Sequence, residues 1–208
     1  FKKLNKTISV MTKKVFDDQV PRHLRAGRTR VTRYIARTIL SFVGWKVSGS
    51  IPNEERLVIV AAPHTSNWDW VLGMLVILAL NANIRWIGKS SIFKPGFVWF
   101  FKWLGGIPVD RNNPSSLIKR VKDIVSQEEG LIIGVAPEGS RQKVERWKTG
   151  FLRIAETTQS KILLLSIDSP TKNVHIGKIF NPTSNTEDNL RLIKDYYKTY
   201  KGINQSQS

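Results

Sequence analysis

The chain contains no cysteine. That absence excludes disulfide bridges, thiolate metal sites and a cysteine nucleophile, and it agrees with a reducing compartment. Long apolar runs are missing as well. Val71 to Leu80 comes nearest, and it falls short of the roughly 18–20 residues that a membrane-spanning helix needs. A buried core helix is the reading it supports, and any membrane contact is expected to be peripheral. Neither a Gly-x-Ser-x-Gly elbow nor a Gly-x-x-x-x-Gly-Lys-Ser/Thr loop occurs, which argues against an α/β-hydrolase esterase and a P-loop enzyme. Acidic residues are scarce: 16 Asp and Glu stand against 33 Lys and Arg, a net charge of +17.

Such a charge implies an anionic partner, whether nucleic acid, anionic lipid or a phosphorylated small molecule. Its distribution narrows the choice. Residues 1–46 hold twelve Lys or Arg against Asp17 and Asp18, a net of +10 that leaves +7 for the other 162 residues. Aromatics among lysines would suit a single-strand nucleic-acid groove. No nucleic-acid motif accompanies them, however, and the excess is mostly N-terminal, so nucleic acid is the weaker reading. The 208 residues suit one domain with a substantial core. The chain divides into a basic amphipathic segment, 1–47, expected to associate with an anionic membrane surface, and a globular domain, 48–208.

Within the first part, residues 28–47 read as a helix. Val31, Tyr34, Ile35, Ile39, Phe42 and Val43 recur at helical spacing, with Arg30, Arg33, Arg37 and Lys46 among them. Such a stripe can enter acyl chains while the arginines meet lipid phosphates; a docked surface helix is the alternative. From Leu57 the pattern becomes strand, loop, helix. Apolar runs at Leu57 to Ala62, Ile84 to Ile87, Leu131 to Val135 and Ile162 to Ile167 alternate with helical stretches at Trp68 to Leu80, Ser115 to Gln127 and Thr149 to Thr158. This predicts an α/β fold: a central, mostly parallel or mixed sheet with flanking helices. Between Ser91 and Leu104 six aromatics crowd around Lys94 and Lys102. They fit either the membrane–water boundary or a buried aromatic helix.

Ligands in open α/β sheets bind beyond the carboxyl ends of strands. His64 and Glu138 each follow an apolar run, which makes them candidates for one cleft, joined by Asp110 and Arg111. A neutral His64 can act as a general base, with Asp69 fixing its tautomer and stabilising the imidazolium. The two meet only if His64 precedes the helix and the chain turns back. Ser66-Asn67-Trp68-Asp69 also fits a capping box, in which Asp69 simply satisfies backbone amides.

His64-Thr65-Ser66-Asn67-Trp68-Asp69 resembles the His-x-x-x-x-Asp block of the glycerolipid acyltransferases, the family of the glycerol-phosphate and lysophosphatidate enzymes. Gly106-Ile107-Pro108-Val109-Asp110-Arg111 is similar to the second block, and Pro137-Glu138-Gly139-Ser140-Arg141 to the third, Pro-Glu-Gly-Thr-Arg, with serine for threonine. Trp147 to Phe151 fits the Lys-x-Gly segment that follows. The fourth block, an apolar strand normally containing proline, corresponds to Lys161 to Ser166, which has none. The resemblance covers roughly residues 57–170.

It implies a glycerol-3-phosphate acyltransferase-like fold and transfer of a fatty acyl group from a thioester donor, acyl-CoA or acyl-carrier protein, to a hydroxyl of a lipid acceptor such as lysophosphatidate. His64 and Asp69 would be catalytic. Arg111, Glu138, Gly139, Ser140, Arg141 and Lys148 would bind substrate. Neither a metal nor a cofactor beyond the donor substrate is implied. An acceptor without phosphate is the main alternative.

Overall fold

The protein is described by a computed structural model covering residue 15 and residues 17–110, 114–128, 130–140, 144 and 146–204. Seven strands form one sheet: β1 (Lys46–Ser48), β2 (Arg56–Ala62), β3 (Ile84–Lys89), β4 (Gly106–Val109), β5 (Leu131–Val135), β6 (Lys161–Asp168) and β7 (Asn173–Phe180). Their order is β1-β7-β6-β2-β5-β3-β4. The five strands from β6 to β4 run parallel, while β7 is antiparallel to β6 and β1 follows the direction of β7. The expected mixed, mostly parallel α/β sheet is present.

β2, at the centre, shows why its run of apolar residues forms a buried strand. Successive side chains point to opposite faces, and both faces are covered. Leu57 and Ile59 enter one core, and Val58, Val60 and Ala62 enter the other. The first core is closed by α1 (Arg30–Phe42) and α2 (Asn67–Leu80), through Ala36, Leu40, Leu72, Val76 and Leu80 among others. The second is closed by α4 (Pro114–Val125), α5 (Gly150–Thr158) and α6 (Thr186–Tyr197), through Val121, Phe151, Ile154, Ile193 and Tyr197. A short helix, α3 (Val98–Trp103), precedes β4.

The helix expected over 28–47 is shorter, ending at Phe42. Gly44 adopts φ +78°, and its amide donates to Ser41 O while that of Trp45 donates to Leu40 O. This is a Schellman stop, which needs a residue free to enter the left-handed region. Residues 46–48 then form the edge strand β1, so an ordered strand crosses the division drawn at 47/48.

The orientation of α1 is informative. Ala36 and Leu40 face the core, whereas Val31, Tyr34, Ile35, Ile39, Phe42 and Val43 are all exposed, Phe42 to 90%. Arg33 and Arg37 do not extend into solvent, because both pair with Asp17. Arg37 Nε also donates to Ala79 O, and the Arg28 amide and guanidinium bond to Asn81 Oδ1 and Ala82 O. Cationic donors thus satisfy carbonyls at the C-terminal end of α2, where the helix dipole favours positive charge.

The aromatic segment after β3 is part buried and part exposed, so the buried-helix reading holds for only some of its rings. Phe93 and Phe101 pack with Trp70 and Trp86 in edge and stacked contacts of 5.6–6.3 Å between ring centres. Phe97, Trp99, Phe100 and Trp103 are exposed.

Candidate active site

The carboxyl ends of β2, β5, β3 and β4, neighbours in the parallel part of the sheet, carry the loops that the sequence singles out. β2 ends at Ala62, and Pro63 follows through a cis peptide bond. The chain reverses over Thr65 and Ser66 before α2 begins at Asn67, so His64 precedes the helix, as its pairing with Asp69 requires.

Asp69 is 2% exposed and heavily hydrogen-bonded. Its Oδ2 accepts from the amides of Thr65 and Ser66, both at 2.6 Å, and from the Thr65 hydroxyl at 3.2 Å. Ser66 Oγ accepts from the Trp68 amide at 3.1 Å, and Ser66 and Asp69 together form a capping box at the start of α2. The same Oδ2 stands 4.0 Å from His64 Nδ1. That is ion-pair distance, longer than a hydrogen bond. One carboxylate therefore caps α2, as the capping-box reading expects, and also faces the imidazole. The His64 side chain is 20% exposed and lines a cavity shared with Asp69.

Glu138 belongs to the turn that follows β5. Its Oε2 accepts from the His64 amide at 2.8 Å, joining the β2 and β5 loops. Burial pushes its carboxyl up to about 7; the His64 amide opposes that rise and the charge of Asp69 adds to it. Gly139 adopts φ +65° and lies so close to Lys148 that a Cβ would meet its Cε at 2.9 Å. The left-handed conformation and the close approach both favour glycine here. Lys148 is exposed, and its amide donates to Pro137 O at 2.8 Å. Ser140 and Gly139 line the cavity. Asp110 is exposed at the end of β4. Arg111 and Arg141 lie outside the described residues.

The cavity, about 440 Å³, runs between α2 and the sheet, a size typical of ligand sites at about 300–1,000 Å³. Its walls are mainly apolar: Ile59, Trp70, Met74, Ile77, Trp86 and Leu165 are among them. Among the wall residues that the sequence did not single out are Gly73 and Lys89. Gly73 sits inside α2, where a Cβ would meet no atom within 4 Å. Lys89 ends β3 and brings a cation to the wall. The rule that selects His64, a polar residue just after an apolar strand, also selects Lys89. Gly73 had a weaker signal, a glycine within an otherwise apolar helix. Among the described residues, no group of three His, Asp or Glu side chains could hold a metal ion.

The structure thus sets the His64–Asp69 pair at the carboxyl ends of the strands, beside an apolar cavity. Comparison with known proteins shows the class: the sequence model of the Acyltransferase family matches residues 45–168, and the chain belongs to that family. It is 26% identical over 144 residues to the 1-acyl-sn-glycerol-3-phosphate acyltransferase of Streptococcus pneumoniae, covering 64% of this chain and 53% of that protein. The chain thus spans about half the length of this curated relative. Its fold is similar to the crystal structure of the 1-acyl-sn-glycerophosphate acyltransferase PlsC from Thermotoga maritima, with a TM-score of 0.56, 21% identity and coverage of 82% and 80% of the two chains.

Proposed function

We propose that this protein transfers a fatty acyl group from acyl-CoA or acyl-carrier protein to the free hydroxyl of lysophosphatidate in phospholipid synthesis. The observation that carries the reading is the His64–Asp69 pair, 4.0 Å apart and part of the lining of one apolar cavity. His64 accepts the proton of the acceptor hydroxyl as that oxygen attacks the thioester carbonyl. Asp69 steadies the imidazolium. Collapse of the tetrahedral adduct breaks the carbon–sulfur bond, and the departing thiolate takes the proton from His64. The cavity holds an acyl chain. Arg111 and Arg141 grip the acceptor phosphate through charge-assisted contacts, with Lys148 and Lys89 as further cations and Glu138 as partner of the acceptor's glycerol hydroxyl.

Docking on an anionic bilayer, at the cytoplasmic face, belongs to the proposal. The exposed stripe of α1 supports it, together with the outward aromatics of α3, which lie among Lys94 and Lys102. No described helix is long and apolar enough to cross a membrane.

The test is kcat/KM for a panel of acceptors at saturating donor. Lysophosphatidate is expected to outperform a phosphate-free monoacyl lipid. Arg111→Ala and Arg141→Ala should each lower acceptor kcat/KM by about ten- to a hundredfold, as expected for a lost contact to a buried anion, and leave donor kcat/KM nearly unchanged. A phosphate-free acceptor that performs better would remove the phosphate assignment and leave acyl transfer to another hydroxyl.

A further inference from the structure

The segment that follows α6 returns to the catalytic turn. Its entry is fixed at Lys201, whose carbonyl accepts from the Ser169 amide at 2.7 Å and whose amide donates to Asp168 Oδ1 at 3.4 Å. Gly202 is then buried directly over Thr65. A Cβ on Gly202 would overlap the Thr65 hydroxyl and approach Thr65 Cγ2 to 2.8 Å. The Ile203 side chain packs against the core beneath α2. Its amide donates to Asp69 Oδ1 at 3.3 Å, and the Asn204 amide donates to Thr65 Oγ1 at 3.0 Å.

We propose that residues 201–204 form a positioning strap that sets the rotation of the Asp69 carboxylate toward His64. The inference rests on the His64–Asp69 reading above. Its logic is a matter of which lone pairs are occupied. The local turn supplies three donors, and all three reach Oδ2, the oxygen that faces His64. The strap supplies the donor to Oδ1 from the opposite end of the sequence. With both oxygens engaged, rotation about the last side-chain bond costs hydrogen bonds in either direction. The Thr65 hydroxyl works in the same sense. It has one hydrogen and two lone pairs; by accepting from Asn204 it directs its own hydrogen to Asp69. Thr65 and Asp69 are both nearly fully buried, so water is a poor substitute for the strap amides. The strap acts through Asp69 and does not itself touch the reacting atoms.

Two substitutions in the full chain separate this role from simple support of the fold. Ile203→Pro deletes the amide that reaches Asp69, and Gly202→Ala pushes the strap off Thr65. The primary readout is the NMR titration of the three histidines. A carboxylate that turns away from the imidazole stabilises the imidazolium less, so the His64 midpoint should fall in each variant, with the other two histidines as internal reference signals. In acyl-transfer assays kcat should drop about tenfold, the scale of one hydrogen bond to a charged group, with both KM values within about twofold of the parent. Lower melting temperature with an unmoved His64 midpoint would overturn the proposal. If Ile203→Pro fails to fold, Gly202→Ala still decides. In the unmutated protein, Ile203 and Asn204 amides that exchange with solvent at open-chain rates would also overturn it. The titration does not depend on the reaction: an unimpaired His64→Ala enzyme would remove the acyl-transfer mechanism, whereas a fixed His64 midpoint would remove the strap alone.

Discussion

Asp69 and Glu138 each do two things, and their substitutions separate the parts. Asp69→Asn should cost stability and activity together, because the same oxygen caps α2 and faces His64. The cap accounts for about 0.5–2 kcal/mol, readable as a lower melting temperature; loss of activity per folded molecule reports the partner role. Glu138 gives a pH signature. An ordinary carboxyl ionises near 4.5, whereas this one is pushed up to about 7. Below both values it is protonated in either state and contributes nothing. Between them the unfolded chain ionises first, so stability falls as pH rises, and the full penalty persists above about 7. Glu138→Gln should therefore raise stability at pH 8 by up to about 3 kcal/mol, the scale set by a rise from 4.5 to about 7, with no gain near pH 4. Denaturant melts at the two pH values measure it; an equal effect at both would contradict the assignment. At this scale the sequence was informative wherever position after a strand identifies a residue. It predicted His64, Asp69 and Glu138 in one cleft; His64 and Asp69 line the cavity, and Glu138 is joined to them through the His64 amide. It could not place Ile203 and Asn204, because their contribution is a backbone amide, for which side-chain identity carries no signal.

Two helices carry the predictions at the next scale. Gly73 lies in the interior of α2 with open space where its side chain would be, although glycine costs a helix interior about 1 kcal/mol relative to alanine. The cavity beside it is a reason to accept that cost. Gly73→Leu should raise the melting temperature while shifting donor preference toward shorter acyl chains, measured as kcat/KM across a chain-length series. An unchanged chain-length profile would mean that the acyl chain does not pass Gly73. In α1 the apolar stripe faces solvent, so replacing Tyr34, Ile35 and Phe42 with serine should leave the fold intact and weaken co-sedimentation with anionic vesicles. The electrostatic part of that binding should fade as salt rises. Equal sedimentation of parent and variant would remove the α1 stripe from the proposed membrane contact. Periodicity located α2, α4 and α5 well because each buries a continuous face. It gave α1 with its apolar stripe turned outward, but not the pairing of Arg33 and Arg37 with Asp17, which depends on a contact between separate elements that spacing does not encode. β7 and α6 were not identified at all: β7 carries polar His175 and Lys178 among its apolar residues, and α6 buries little beyond Asn189, Ile193 and Tyr197.

Across the whole molecule, the sheet order brings residues from distant parts of the sequence to one edge. His64 and Glu138, 74 residues apart, are joined by a hydrogen bond, and residue 203 reaches Asp69 from 134 positions away. The alternation of strands and helices predicted this class of architecture. The two reversed strands, β7 and β1, depend on pairings that short-range pattern does not encode. The proposed acyl transfer, direct and without a covalent enzyme intermediate, depends most on His64. The decisive measurement is single-turnover acyl transfer by purified His64→Ala, with circular dichroism to confirm the fold. Loss of at least about a hundredfold in the chemical step, consistent with removal of a general base, at an unchanged melting profile is the predicted result. A folded His64→Ala protein that transfers acyl groups at the parent rate would contradict the account.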